Sequence, residues 1–169
     1  GYLQLAEKYR LRSINRQLPV GLFESKKSRY SRIFTGGSSA IDLVGIGKDE
    51  SLWIFELKKK GNHSLGIISE LMFYAACMRD LRRGAFRLFD KPAGKRWVGD
   101  INDIAVDRKV NAVFLTPRLH PLFAGKQKEC LALLNDACKK AQVDIEYHYQ
   151  AFDYDKEGNA PPVGIRLAG

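Results

Sequence analysis

The chain has 169 residues, 45% of them hydrophobic and 28% charged, which excludes a wholly disordered or collagen-like polymer and fits one domain over 1–169 with its own core. Lys and Arg number 28 against 19 Asp and Glu, a formal charge of +9, and this surplus suits a polyanion such as nucleic acid. No apolar run approaches the roughly 20 residues of a membrane span and the opening Gly1-Tyr2-Leu3-Gln4 does not read as a signal peptide, so the expectation is a soluble cytoplasmic protein with no membrane partner.

In chain order, Leu3, Leu5, Ala6, Tyr9, Leu11 and Ile14 recur at near-helical spacing, which predicts a helix over 2–15 that Pro19 ends. Val20–Phe23 and Tyr30–Phe34 read as short strands of a basic hairpin around Ser25-Lys26-Lys27-Ser28. Gly36-Gly37-Ser38-Ser39 punctuates the chain before the clearest hairpin, Ala40–Ile46 and Leu52–Lys58 joined through Gly47–Ser51. Residues 64–83 are the best helix, with Ile67, Leu71, Tyr74, Met78 and Leu81 on one stripe and Arg79, Arg82 and Arg83 suited to its C-terminus. Residues 84–108 look irregular. Val110–Leu115 then reads as a strand closed by Pro117, 125–141 as a helix, Val143–Tyr149 as a strand and Val163–Leu167 as a last strand. The mixed order of elements predicts one α/β domain. Cys77, Cys130 and Cys138 form an odd set with no CxxC pair, which fits reduced core thiols rather than a disulfide framework or a zinc ribbon. The charge is uneven: residues 1–37 hold eight Lys and Arg against two acids, +6, whereas 142–169 hold two against five, −3.

The period of two places Ile54, Glu56 and Lys58 on one face of their strand and Trp53, Phe55 and Leu57 on the other. The same rule groups Asp42 with Ala40, Val44 and Ile46, so a carboxylate interrupts an apolar face on each arm of the hairpin. If the loop is Lys48-Asp49-Glu50 and Gly47 opposes Ser51, Asp42 falls opposite Glu56. Charges about 5 Å apart at an effective dielectric near 20 repel by roughly 3 kcal/mol. A cation between them is expected. Lys58 can supply one charge, and a divalent metal with oxygen ligands, Mg²⁺ above all, is the better partner for two carboxylates. Glu70, three residues after Ile67 and four before Tyr74, points with the apolar stripe of its helix toward the sheet. Glu7, four residues after Leu3 and four before Leu11, does the same in a first helix that runs to residue 15.

Ala40-Ile41-Asp42, then Glu56-Leu57-Lys58 after a short hairpin, then a helix carrying Glu70, resembles the PD-(D/E)xK nuclease superfamily, with Ile41 where the motif names proline. The resemblance implies a restriction-endonuclease-like fold. Its α-β-β-β-α-β core would span about 2–116, with a mixed central sheet flanked by helices and a C-terminal extension over about 117–169. It implies that Asp42 and Glu56, with Leu57, hold Mg²⁺, for which Mn²⁺ can substitute. Lys58 would orient or activate the attacking water, Glu70 would support the site, and Glu7 would match the first-helix acid, with Glu24 its competitor.

The expected activity is that of a metal-dependent endonuclease hydrolysing phosphodiester bonds of DNA, with Lys26, Lys27, Arg29 and Arg32 gripping the backbone without reading sequence. The alternative is a non-catalytic nucleic-acid-binding module that keeps the nuclease fold. Either could work as a homodimer or in a larger assembly. Other polar residues carry blander expectations: Lys59 and Lys60 a solvated strand end, Arg82 and Arg83 helix-end charges, His63 a surface residue, His120 and His148 structural, Trp53 core.

Overall fold

A computed structural model describes residues 2–26, 28–58, 65–86, 108–117, 120–123, 125–153 and 166–167. The first helix, α1 (Tyr2–Lys8), is shorter than its periodicity predicts. Arg10, at φ 52, takes the left-handed conformation that closes a helix, and the chain continues as strand β1 (Leu11–Phe23). The helix predicted over 2–15 is therefore overturned. Its near-helical pattern spans two elements that share one core: Leu5 of α1 and Leu11 of β1 bury together with Leu43 and Phe55. Pairing with β2 (Arg32–Gly47) decides the conformation, since a long-range ladder outweighs local propensity. Pro19 is no helix stop but a residue of an edge strand, where a missing N–H is tolerated.

The two strand pieces expected at Tyr30–Phe34 and Ala40–Ile46 belong to the single strand β2, so three strands rather than four precede the next helix. β3 (Leu52–Leu57) follows, then α2 (Gly66–Arg82), β4 (Val110–Leu115), a 3-10 turn at Pro121–Phe123, α3 (Gln127–Lys140) and β5 (Ile145–Gln150). The five-stranded sheet has the order β1-β2-β3-β4-β5. β1, β2 and β3 are antiparallel neighbours; β3, β4 and β5 run parallel. Two short strands, β6 (Phe152–Asp153) and β7 (Arg166–Leu167), pair separately. The fold is mixed α/β, with a mixed sheet flanked by helices. β5, from beyond residue 117, extends this sheet and is tied back to α1 by Lys8 and Tyr9, which both donate to Gln150 Oε1.

One face of the sheet is covered by α2 and α3, the other by α1. Toward α2 lie Val44, Ile46, Leu52, Ile54, Ala112 and Phe114, packed on Ile67, Leu71, Tyr74 and Met78. Toward α1 lie Leu43, Phe55, Val113 and Leu115, packed on Leu5. β3 keeps the predicted alternation, because Leu52 and Ile54 go to one core and Phe55 to the other. β2 does not keep it: Ile41 and Leu43, two residues apart, fall in different cores. The alternation of β2 therefore breaks at Asp42, between Ile41 and Leu43. Cys77 is buried, Cys130 and Cys138 are half-buried, and all three are free thiols. No helix among the described residues is long and apolar enough to cross a membrane.

The α2 core should dominate stability. Leu71→Ala, which empties a fully buried site, is expected to lower the unfolding free energy by about 2–5 kcal/mol in urea denaturation. Leu133→Ala, on the exposed side of α3, should change it by no more than about 0.5 kcal/mol.

Candidate active site

The β2–β3 turn sets the register that brings the acids together. The Gly47 N–H donates to the Ser51 carbonyl at 2.8 Å, and the Asp49 carboxylate accepts from the Ser51 hydroxyl at 2.6 Å. The pairs run from Ile46↔Leu52 to Leu43↔Phe55, the register expected from a loop of Lys48-Asp49-Glu50. The ladder stops one pair short of Asp42 and Glu56. By the antiparallel alternation, the next strand-to-strand bond would take the Leu57 N–H to the Ile41 carbonyl. Instead the Leu57 N–H donates to Asp42 Oδ2 at 2.8 Å. The Asp42 side chain thus stands in for a main-chain acceptor where β2 peels away from β3.

Gln17 holds the other carboxylate oxygen, its Nε2 donating to Asp42 Oδ1 at 3.0 Å. Gln17 has φ 55, unusual for a non-glycine residue inside a strand. The partners on either side of it, Arg16↔Leu43 and Leu18↔Ile41, put Gln17 level with Asp42. Both strands turn over at this pair: Ile14 packs on the α1 side, Leu18 on the α2 side.

Glu56 lies at the end of β3, on the α2 side, only 3% exposed. Lys58, two residues on and on the same face, donates to Glu56 Oε1 at 2.8 Å and to Glu70 Oε2 at 2.7 Å. Tyr74, one helical turn after Glu70, donates to Glu70 Oε1 at 3.3 Å. Glu56 Oε2 is buried and has no hydrogen-bond partner among the described residues. Burial, reinforced by the Asp42 and Glu70 charges and opposed by Lys58, pushes the Glu56 carboxyl up to about 7. Burial pulls the Lys58 ammonium down, but its hydrogen bonds and charges from Glu56 and Glu70 outweigh that and hold its proton more tightly than in an ordinary lysine. Burial and the Glu70 and Glu56 charges raise the Tyr74 phenol to about 12, so it stays a donor. Among the described residues no group of three or more His, Cys, Asp and Glu side chains is arranged to hold a metal ion; the Lys58 ammonium bridges Glu56 and Glu70.

Asp42, Glu56, Lys58 and Glu70 therefore come together, as their spacing predicts, and Leu57 joins them through its N–H. Glu7 does not. It is exposed, and α1 packs through Leu5 on the sheet face opposite α2. Its inward placement rested on a helix continuing through Ile14, and the helix ends at Lys8. Glu24 is exposed in the β1–β2 connection, where its N–H donates to the Ser31 carbonyl at 2.7 Å. Lys26, Arg29 and Arg32 are exposed on the same hairpin. Lys27, Lys59, Lys60 and His63 lie outside the described residues. Arg82 is buried and donates to the Lys109 carbonyl, and Arg83 pairs with Asp144. His148 stacks on Trp53, ring centroids 5.3 Å apart, and shares a 3.1 Å hydrogen bond with Asn111.

Gln17 and Tyr74 are the site residues that sequence reasoning missed. Tyr74 carried a signal in its i,i+4 spacing from Glu70, obscured because it also fits the apolar stripe. Gln17 carried none, since its role depends on a left-handed backbone that no neighbouring glycine or asparagine announces. No protein family, curated protein or solved structure matches the chain.

Glu56 ordinarily titrates near 4.5 and in the folded chain near 7, so between those values the folded state keeps a proton that the unfolded state loses. Stability relative to Glu56→Gln is expected to fall as pH rises through this window, by on the order of 3 kcal/mol, and to level off above it. Denaturant titrations of both proteins from pH 4 to 8 measure the difference.

Proposed function

We propose that this chain is a metal-dependent nuclease that hydrolyses phosphodiester bonds of DNA, built on a restriction-endonuclease-like fold. The observation that carries the reading is Glu56 Oε2, a carboxylate oxygen buried without a partner beside the Asp42 carboxylate. Such a group costs stability, and a fold that served only to bind would gain by replacing it with an apolar side chain. A divalent cation relieves it. The donor set, carboxylate oxygens at a strand end, fits Mg²⁺ and Mn²⁺.

In this reading Asp42 and Glu56 hold the ion, with Leu57 at the same strand end. Bound there, the ion supplies a Lewis acid for the phosphate and acidified water. Gln17 and the Leu57 N–H orient the Asp42 carboxylate through both its oxygens. Lys58, whose proton is tightly held, acts as a fixed cation and donor that places the attacking water and offsets charge developing on the phosphate. Glu70 keeps Lys58 beside Glu56 and is itself kept in place by Tyr74. The succession α1-β1-β2-β3-α2-β4, with β4 parallel to β3, also supports the fold proposed.

The Lys58 ammonium already neutralises Glu56 and Glu70, and this favours a second reading, a nucleic-acid-binding module that keeps the fold without cleavage. Cleavage assays separate the two. With Mg²⁺ or Mn²⁺ the protein is expected to cut single-stranded or duplex DNA, and Asp42→Ala and Lys58→Ala are each expected to lose at least about a hundredfold in rate. Cleavage that persists in both variants would overturn the site, and binding without cleavage would favour the module. Arg29→Ala and Arg32→Ala should each flatten the slope of log affinity against log salt by about one, whatever the DNA sequence.

A further inference from the structure

The β1–β2 hairpin ends in an arm of which the nuclease reading uses only the cations Arg29 and Arg32. Its base is anchored. Leu22 packs on the α2 core, and the Phe34 ring lies 4.3 Å from that of Phe73, one helical turn after Glu70. The register jumps at this base: only Gly21 separates Val20 from Leu22 on β1, whereas residues 35–38 separate their partners Ser39 and Phe34 on β2. A bulge of this kind bends a hairpin and re-aims it.

Beyond the base the arm is built to present its tip. The Ser31 N–H donates to Ser28 Oγ at 3.2 Å, the two hydroxyls are 2.8 Å apart, and the Ser31 hydroxyl donates to the Lys26 carbonyl. Between these two serines stands Tyr30, 99% exposed, and Ile33, further along the arm, is 70% exposed. Lys26, Arg29 and Arg32 are exposed on the same arm, and none of the three pairs with a carboxylate among the described residues.

An exposed aromatic ring among unpaired cations offers two attractions at once, charge for phosphates and a flat face for a base. We infer that the arm binds the DNA substrate at a position where a base is unpaired, Tyr30 stacking on that base while Arg29 and Arg32 hold the flanking phosphates. This rests on the proposed nuclease reading and narrows its substrate to DNA with a local interruption, such as a bulge, nick or branch. In a continuous duplex each base face is covered by its neighbours and must be uncovered at a cost before Tyr30 can use it.

Position follows as well. From Gln17, bonded to Asp42, to Phe23 at the arm's end of β1 is a path of about 20 Å at roughly 3.3 Å per residue. Phe23 faces Arg32, and Tyr30 lies two residues beyond it, which adds about 5 Å across the strand pair and about 7 Å along the chain and brings the reach to roughly 31 Å. The cleaved bond therefore lies within about ten nucleotides of the unpaired base, at about 3.4 Å per step.

The test compares binding, in EDTA, to a short DNA duplex and to the same duplex with one unpaired adenine. The protein is expected to prefer the bulged duplex by at least about tenfold. Tyr30→Ala should abolish the preference and keep the affinity for the continuous duplex, Tyr30→Phe should restore it, and with Mg²⁺ the cuts should cluster within about ten nucleotides of the bulge. Equal affinity of the unaltered protein for both duplexes, or an undiminished preference in Tyr30→Ala, would overturn the inference and leave the nuclease reading standing. Binding to neither duplex would overturn the inference, and with no cleavage in Mg²⁺ or Mn²⁺ as well it would overturn both. Self-association that Tyr30→Ala disrupts, with DNA binding unchanged, would assign the arm to contact with a second copy of the chain instead.

Discussion

Burying Glu56 is the act that the neighbouring structure must compensate. A carboxylate sheltered from water at the end of a central strand costs several kcal/mol unless cations and donors meet it. Lys58 meets one of its oxygens, which is possible because a period of two returns the chain to the same face. Lys58 is itself half-sheltered and brings Glu70 into the cluster, and that bond ties the first half of α2 to the end of β3. Asp42 adds a like charge nearby and so takes its hydrogen bonds from elsewhere, the Leu57 N–H and the Gln17 amide. The early end of the β2–β3 ladder, the left-handed Gln17 and the turning over of β1 and β2 all fall at this level of the sheet. They are the backbone's accommodation of acids packed close together.

What was legible in the sequence follows from how local each cause is. The β2–β3 register could be read because a short turn sets it and both faces of β3 carry period-two apolar residues. Glu70 could be read because its helix is long and its apolar stripe regular. The first helix could not, because Leu5 and Leu11 both look like one stripe while belonging to a helix and a strand that pack on a common core. β1 owes its conformation to β2, to which a connection beyond Phe23 returns the chain. Two non-glycine residues at positive φ, Arg10 and Gln17, mark its start and its turning point. Neither residue type advertises that conformation. The misplacement of Glu7 follows directly from missing the first of them.

The charge surplus also resolves into a pattern along the sheet. At the end marked by the β2–β3 turn, three cations are paired: Arg12 with Glu50, Arg83 with Asp144 and Lys109 with Glu146. These pairs are exposed and add little stability. Their effect is to cancel field. The acidic C-terminal stretch that begins at residue 142 thus supplies partners for bases on α2 and before β4.

The opposite end differs. Among the described residues, the carboxylates Asp42, Glu56 and Glu70 converge there with the Lys58 ammonium, while Lys26, Arg29 and Arg32 make no ion pair on the arm beyond. An anionic polymer approaching the sheet is drawn to the unmatched end and repelled from the acids at its root unless a cation joins them. The two halves of the proposed activity are thereby coupled through electrostatics alone. On the proposed reading the arm would hold the backbone close, and the acids would admit it only once a divalent ion had neutralised them. A single-residue change on the arm would then alter where DNA is held. A change at Glu56 or Asp42 would alter whether it can be held at the site at all.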